Sequence, residues 1–190
     1  MKRYWVLLAL LVGLSLALPA SPSYAADSWL DHPIENWNAP GYAVPGPEGE
    51  EWFADEVCLV GARPPETFED FQLTDLGWHL VGSYQGGWGI VIVTATLGYD
   101  GMCRPMGYQQ FVFVDGLFAG TISPELMYSR SDGAGWISSF YGPELLQATF
   151  IRYADEDPLC CPSLPETYVS YQVIRSDFGP VLVPVFPDSP

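Results

Sequence analysis

The dipeptide Asp115-Gly116 constrains the fold of this 190-residue chain more than any other short segment. It separates the segment 109–114, which is apolar from Phe111 onwards, from a second largely apolar segment at 117–122. A two-residue type I′ turn needs positive φ at both central positions, and Asp-Gly meets that need. The sequence therefore predicts an antiparallel β-hairpin with Asp115-Gly116 at its turn.

Three further segments have the composition of strands. Residues 90–97 are a β-branched, almost continuously apolar run, which predicts a strand buried on both faces. Residues 148–153 and 167–174 flank a Cys-containing loop, and we expect them to pair antiparallel. The second of these alternates, which places Tyr168, Ser170, Gln172 and Ile174 on one face and Val169, Tyr171 and Val173 on the other.

The composition favours a mainly β fold with frequent turns. Aromatic residues make up 15% of the chain, which also has 19 glycines and 18 prolines and lacks a long amphipathic helical pattern. One short helix is expected within 67–76, where Phe68, Phe71 and Leu76 recur at roughly helical spacing. We predict a single antiparallel sheet with one helix packed on it, and α+β is the alternative class.

The N-terminal segment resembles a secretory signal peptide. Lys2 and Arg3 precede an apolar run at 4–18, and a small-x-Ala sequence ends at Ala25. A spanning helix needs about 20 apolar residues, and Pro19 ends this run before that length. We expect cleavage after Ala25 and no transmembrane segment afterwards. The first cysteine is Cys58, so we expect a periplasmic or extracellular protein that is soluble rather than lipid-anchored.

The rest of the chain divides into three predicted segments. Residues 26–51 form a Pro- and Gly-rich acidic arm, which Trp29 and Trp37 are expected to pin to the domain surface. Residues 52–178 form the β domain. Residues 179–190 form a Pro-rich tail that allows at most an edge strand at 181–183.

The charge of the chain excludes some classes of partner. It has 23 acidic residues against seven lysines and arginines, and the region after Ala25 contains no lysine. Phosphate backbones and anionic membranes bind clustered basic side chains, so nucleic acid is not expected as a partner. An envelope component, either a protein or a glycan, is expected instead.

Four cysteines in an exported chain predict two structural disulfides. A bridge between the adjacent Cys160 and Cys161 is disfavoured by its geometry, which leaves two pairings open. Either Cys58 pairs with Cys160 and Cys103 with Cys161, or Cys58 pairs with Cys161 and Cys103 with Cys160. Both pairings fasten the loop at 155–163 to two earlier segments.

The sequence contains no motif of a known catalytic or cofactor site, so we expect no enzyme and no cofactor. His32 lies in the arm, and His79, between Trp78 and Leu80, is interpreted as structural. The acidic run 155–157 is interpreted as a solvated turn, with a cation site as the alternative. A hydrolase needs only two carboxylates at the correct separation, and it remains an alternative function.

Aromatic side chains are the remaining candidates for ligand contact. Trp78, Trp88 and Trp136 are the candidate ligand aromatics, although aromatic residues dominate the cores of small β domains. If two or more such rings are exposed on one face, a carbohydrate-binding module is the alternative function.

Two stretches carry a family resemblance. The first runs from Gln110 through Asp115-Gly116 to Gly120-Thr121, and the second joins 149–153 to the Cys-containing loop 157–163 and the strand 168–171. Together they resemble the LppP/LprE family of bacterial envelope proteins over roughly residues 89–174. The family is of unknown activity, so the resemblance implies an envelope location and an antiparallel domain rather than a reaction. Many members are lipoproteins, and this chain departs from them because it lacks a lipobox cysteine.

Overall fold

The computed structural model describes residues 28–32, 34–48, 56–59 and 62–186. The predicted signal peptide and its cleavage site lie outside these residues. Two helices are followed by nine strands: α1 Glu56–Leu59, α2 Phe68–Thr74, β1 His79–Gly87, β2 Ile90–Tyr99, β3 Pro105–Val114, β4 Leu117–Thr121, β5 Met127–Tyr128, β6 Gly135–Phe140, β7 Leu145–Phe150, β8 Thr167–Ser176 and β9 Gly179–Val185.

The strands form two antiparallel sheets. The first sheet has the order β1-β2-β3-β4, and β5 also pairs with β3. The second sheet has the order β6-β7-β8-β9. The mainly β class is thus confirmed, as are the β7–β8 pairing and the short helix, but the strands form two sheets where we expected one. The edge strand expected at 181–183 is β9 at the border of the second sheet.

The predicted hairpin joins β3 to β4. Asp115 and Gly116 have φ of 51° and 82°, the positive values that a type I′ turn requires. Val114 pairs with Leu117 across the turn. The local sequence therefore determines this element as predicted.

The main core lies between the two sheets. Ile92 and Val112 of the first sheet face Leu146, Val169 and Leu182 of the second, and all five are almost completely buried. The predicted alternation in β8 is confirmed, because Val169, Tyr171 and Val173 point into this core. A second sheet is needed here because these inward side chains require an apolar partner surface.

A second core covers the other face of the first sheet. Val93, Phe111 and Phe113 point to this side and pack with Leu73 of α2 and with Trp78. The Trp78 and Phe111 rings meet edge to face with centroids 5.0 Å apart. The central strands are therefore buried on both faces, which explains the continuous apolarity of β2.

Helix α2 is fixed at its start by a capping box and an ion pair. The Thr67 side chain accepts from the Asp70 backbone N–H, and the Asp70 carboxylate accepts from the Thr67 and Glu66 backbone N–H groups. Arg63 donates to both carboxylate oxygens of Asp70 at 2.5 and 2.6 Å. Burial raises the pKa of Asp70, but these hydrogen bonds outweigh burial and hold it below its usual value.

The arm packs onto the sandwich through two tryptophans, as expected. The Trp29 ring lies 5.1 Å from Phe150 and 5.2 Å from Trp37, and Trp37 contacts Tyr171. The buried Asn38 then bridges the sheets, since its amide donates to Thr121 O of β4 and Leu182 O of β9. The arm thus closes the side of the sandwich where the edge strands β4 and β9 meet.

The disulfide pairing differs from both predicted arrangements. Cys58 bonds Cys103, with Cα atoms 5.0 Å apart, and Cys160 bonds Cys161. Exclusion of the bridge between adjacent residues was therefore wrong. The reason is the division into two sheets: α1 and the β2–β3 loop meet beside the first sheet, whereas the loop with Cys160 connects β7 to β8 of the second.

Candidate functional site

Four hairpin turns gather at one end of the sandwich, which we call the turn end: 88–89, 115–116, 141–144 and 177–178. Three contacts hold them together. The Asp115 backbone N–H donates to Gly89 O at 2.7 Å, Trp88 lies 6.5 Å from Phe140, and the Arg175 guanidinium lies 3.7 Å from the Asp115 carboxylate. Loops at the end of a rigid sandwich are common binding elements because the scaffold fixes their positions.

A groove of about 580 Å³ opens beside this end. It is bounded by the arm, helix α2, the β3–β4 turn and the β8–β9 turn. The lining residues are Gly41, Tyr42, Ala43, Val44, Phe68, Gln72, Asp75, Leu76, Gly116, Leu117, Phe118, Phe178, Gly179 and Pro180. Its volume is within the range of sites that bind small ligands or anchoring side chains.

The groove walls are apolar and face solvent. Tyr42, Phe68, Leu117 and Phe178 are all exposed large apolar side chains, and Phe68 is 68% exposed. Among the described residues that line the groove, only Asp75 is charged. Such a contiguous apolar patch is unusual on a soluble protein and is typical of interaction sites.

The arm is held against the β8–β9 turn by close backbone contact. Gly41 has φ of 75°, and a Cβ at this position would lie 2.9 Å from the Phe178 carbonyl oxygen. Glycine is therefore required here both by conformation and by space. Three residues earlier, Asn38 fixes the arm to both sheets, so the groove wall at Tyr42 is positioned by buried hydrogen bonds.

The three candidate tryptophans lie in three different environments. Trp78 is only 3% exposed, and its indole N–H donates to Pro45 O at 2.9 Å, so it is a core residue and not a ligand contact. Trp88 is exposed at the turn end. Trp136 is exposed on the outer face of the second sheet, two strands away from Tyr168.

Sequence reasoning missed the side chains of the groove. Phe68 appeared only as a helical apolar position, although in α2 it points to solvent while Leu73 points to the core. Tyr42 and Phe178 lie in Gly- and Pro-rich segments without periodicity. The signal that identifies Phe178 is its place at the tip of a turn between two strands, where a large apolar side chain has no core to enter.

Several acidic residues organise loops or pair with arginine. Asp157 Oδ2 accepts from the backbone N–H groups of Ala154 and Ser163, both at 2.8 Å, which closes the loop that carries the Cys160–Cys161 bridge. Its pKa is lowered by these hydrogen bonds, that of Ala154 foremost. Within the described ranges, no three His, Cys, Asp or Glu residues are grouped as metal ligands.

The buried Arg152 gathers two carboxylates. It donates to Asp31 at 3.0 and 2.9 Å and to Asp132 at 2.9 Å. Burial lowers the pKa of the guanidinium, but the bonds to Asp31 and Asp132 raise it above its ordinary value. A general acid for hydrolysis needs a carboxyl that can hold a proton, and a buried cation opposes this. The cluster ties the arm to the β7–β8 loop.

Two tyrosine hydroxyls between the sheets, those of Tyr108 and Tyr171, bond to backbone groups. The Tyr108 hydroxyl accepts from Gly135 N at 3.0 Å, and burial raises the pKa of Tyr108 to about 12. Tyr171 donates to Ile122 O between the sheets. His79, the framework histidine, is partly buried at the first position of β1.

A family model matches part of the chain. Residues 84–175 match the model of the LppP/LprE lipoprotein family, which confirms the predicted resemblance to that family and supports association with the cell envelope. No curated protein and no solved structure matches the chain. In the described part of the chain, the helices are too short to cross a membrane.

Proposed function

We propose that this envelope-associated protein, with its LppP/LprE match at residues 84–175, is a non-catalytic binding domain that acts outside the cytoplasm. The groove at the turn end is its binding site. The ligand is a segment of a partner protein that presents apolar side chains next to basic ones.

The observation that carries this proposal is the set of exposed apolar side chains around the groove. Tyr42, Phe68, Leu117 and Phe178 converge there from four different parts of the chain. Leaving such surface in water costs about 25 cal/mol for each Å², and a bound apolar segment recovers that free energy. Aromatic residues at the centre of a concave site are also typical anchors of protein interfaces.

The charge around the groove selects the partner. Asp75 lines it, and Asp177 lies beside its wall in the β8–β9 turn. The nearest arginine described at these turns, Arg175, is paired with Asp115. The whole chain has a formal charge of −16. A basic segment is therefore attracted and an acidic one repelled.

The lining residues also favour binding over catalysis. Among the described residues that line the groove, Asp75 supplies a single carboxylate, and none is His, Cys, Ser or Thr. A carboxylate-pair hydrolase needs a second acid across the site. The hydrolase alternative therefore receives no support from this groove.

The experiment is a titration of the full exported protein with defined peptides, followed by isothermal calorimetry. The probes are a short peptide of alternating leucine, phenylalanine and lysine, the same peptide with glutamate for lysine, and one with serine for each apolar residue. We expect the lysine peptide to bind at least about tenfold more tightly than the other two, and to bind more weakly in high salt.

Phe68→Ser and Leu117→Ser should each reduce this affinity at least about tenfold, since each removes a large apolar contact. Met102→Ser is the matched control, because Met102 is 70% exposed but lies in the β2–β3 loop at the opposite end of the sandwich. Equal affinity for the lysine and glutamate peptides, or equal loss in the Met102 variant, would contradict the proposal.

A further inference from the structure

The outer face of the second sheet carries no charged side chain at its described strand positions. Its outward residues are Trp136, Ser138, Ser139, Leu145, Gln147, Thr149, Tyr168, Ser170, Gln172, Ile174, Ser176, Val181, Val183 and Val185. This is unexpected in a chain with 23 acidic residues, because the solvent face of a sheet is where such residues are tolerated best. The face is therefore a distinct surface, which we call the neutral face.

Two exposed aromatic rings flank the centre of one row on this face. Trp136 pairs with Thr149, and Thr149 pairs with Tyr168. Neighbouring strands lie about 4.8 Å apart, so the backbones that carry the two rings are separated by roughly 10 Å. Trp136 is 40% exposed and Tyr168 is 53% exposed, whereas Thr149 between them is buried.

A third ring reaches the neutral face from the β6–β7 turn. The hydroxyl of the exposed Tyr141 donates to Gln147 Oε1 at 3.3 Å, and Gln147 lies in the next outward row of β7. The Tyr168 ring is oriented by a hydrogen bond from its hydroxyl to Glu166, which precedes β8 beyond the edge of the face. The rings are thus placed by hydrogen bonds and strand register.

The polar groups between these rings are amides and hydroxyls. Gln147, Ser170 and Gln172 lie in neighbouring outward positions of β7 and β8. Each side chain can both donate and accept hydrogen bonds. An anionic ligand would require basic residues, and a protein interface core would present a more continuous apolar surface.

We propose that the neutral face binds an uncharged glycan chain. Sugar rings present C–H groups that pack on aromatic rings, and their hydroxyls match uncharged donors and acceptors. Trp136 and Tyr168 are the stacking residues, and Gln147 with its strand neighbours contacts the hydroxyls. This surface is separate from the groove and takes a different class of ligand, so it extends the proposed function and does not depend on it.

The test is calorimetric titration of the full exported protein with three neutral oligosaccharides, cellohexaose, mannohexaose and maltohexaose, and with oligogalacturonate as the anionic comparison. We expect at least one neutral oligosaccharide to bind and oligogalacturonate to bind much more weakly. Trp136→Ala and Tyr168→Ala should each weaken binding roughly tenfold or more, because each removes a stacking ring. Trp136→Phe, which keeps a ring, should weaken it less.

Trp88→Ala is the matched control, since it removes an exposed tryptophan from the turn end and should leave the affinity unchanged. The proposal is overturned if none of the neutral oligosaccharides binds at millimolar concentration, or if binding does not depend on Trp136 and Tyr168. It is also overturned if sedimentation shows a dimer that dissociates in these variants, because a second copy would then occupy the face. Thermal unfolding of each variant verifies that it is folded.

Discussion

Replacement of Asn38 by alanine should cost much of the stability of the sandwich. The Asn38 side chain makes three buried hydrogen bonds, from Nδ2 to Thr121 O at 3.0 Å and to Leu182 O at 3.1 Å, and from Thr121 N–H to Oδ1 at 2.9 Å. It therefore satisfies backbone groups of β4 and β9, the edge strands of the two sheets. Alanine removes all three bonds.

The magnitude follows from the groups left without a partner. Thr121 O keeps the hydrogen bond from the Trp37 indole at 3.1 Å, so it remains satisfied. The Thr121 N–H and Leu182 O each lose the bond from Asn38. A buried polar group without a partner costs about 1–3 kcal/mol, so Asn38→Ala should lower the free energy of unfolding by about 3 kcal/mol. This is a large share of the stability of a typical domain.

The assay is urea unfolding followed by far-UV circular dichroism and tryptophan fluorescence. Gln172→Ala is the matched control, because it removes an exposed amide from a neighbouring strand, and we expect it to cost less than about 1 kcal/mol. The reasoning is refuted if Asn38→Ala costs no more than Gln172→Ala.

Asn38→Asp tests the two hydrogen bonds that the Asn38 amide donates separately from the one that its oxygen accepts. It keeps an oxygen for Thr121 N–H but turns a carboxylate toward two carbonyl oxygens. Burial and these carbonyls raise the pKa of the introduced carboxyl above its unfolded value of about 3.9. The loss in free energy of unfolding caused by Asn38→Asp should therefore be greatest at neutral pH, and it should decrease as the pH falls through the pKa of this carboxyl in the folded protein. A penalty that does not change with pH would argue against this contact.

Three further predictions concern the hairpin, the disulfides and the helix cap. Gly116→Val should destabilise by about 1–2 kcal/mol because φ is 82° there, and an unchanged melting temperature would count against the turn. Peptide mapping without reduction should find Cys58 linked to Cys103, and Cys103→Ser should yield one free thiol at Cys58; a link from Cys58 to the β7–β8 loop would disprove the pairing. Asp70→Asn should cost about 3 kcal/mol at neutral pH, since it breaks the buried pair with Arg63. Because the folded pKa of Asp70 is lowered, this contribution is present above pH about 4 and is lost as the pH falls, so the two proteins should converge in acid. If the free energy of unfolding of the Asp70→Asn variant stays below that of the original protein by the same amount over that pH range, this explanation of the Asp70 contribution is wrong.

Much of the secondary structure follows from local sequence. The Asp115-Gly116 turn, the doubly buried β2 and the alternation of β8 depend on backbone conformation and on a repeat of two, which neighbouring residues determine. A short helix is present as predicted within 67–76, but the apolar positions that predicted it, Phe68, Phe71 and Leu76, are exposed, and Leu73 is the side chain that packs into the core. The resemblance to the LppP/LprE family also rests on these local stretches.

The number of sheets and the disulfide pairing were decided by tertiary contacts. An alternating strand such as β8 shows that one face is buried but does not identify the surface that covers it. Here the covering surface is another sheet, and that division places Cys58 with Cys103 and leaves Cys160 with Cys161. Sequence spacing contains no information on which loops meet across two sheets.

The candidate sites show the same limit. The sequence by itself determined that exposed aromatic residues would be the candidates for ligand contact, because it offers no catalytic motif. Only the tertiary structure decided that Trp78 is buried, that Phe68 and Phe178 meet at the groove, and that Trp136 and Tyr168 share the neutral face. The physical reason is that exposure depends on which elements pack against a side chain, and these elements lie far away along the chain.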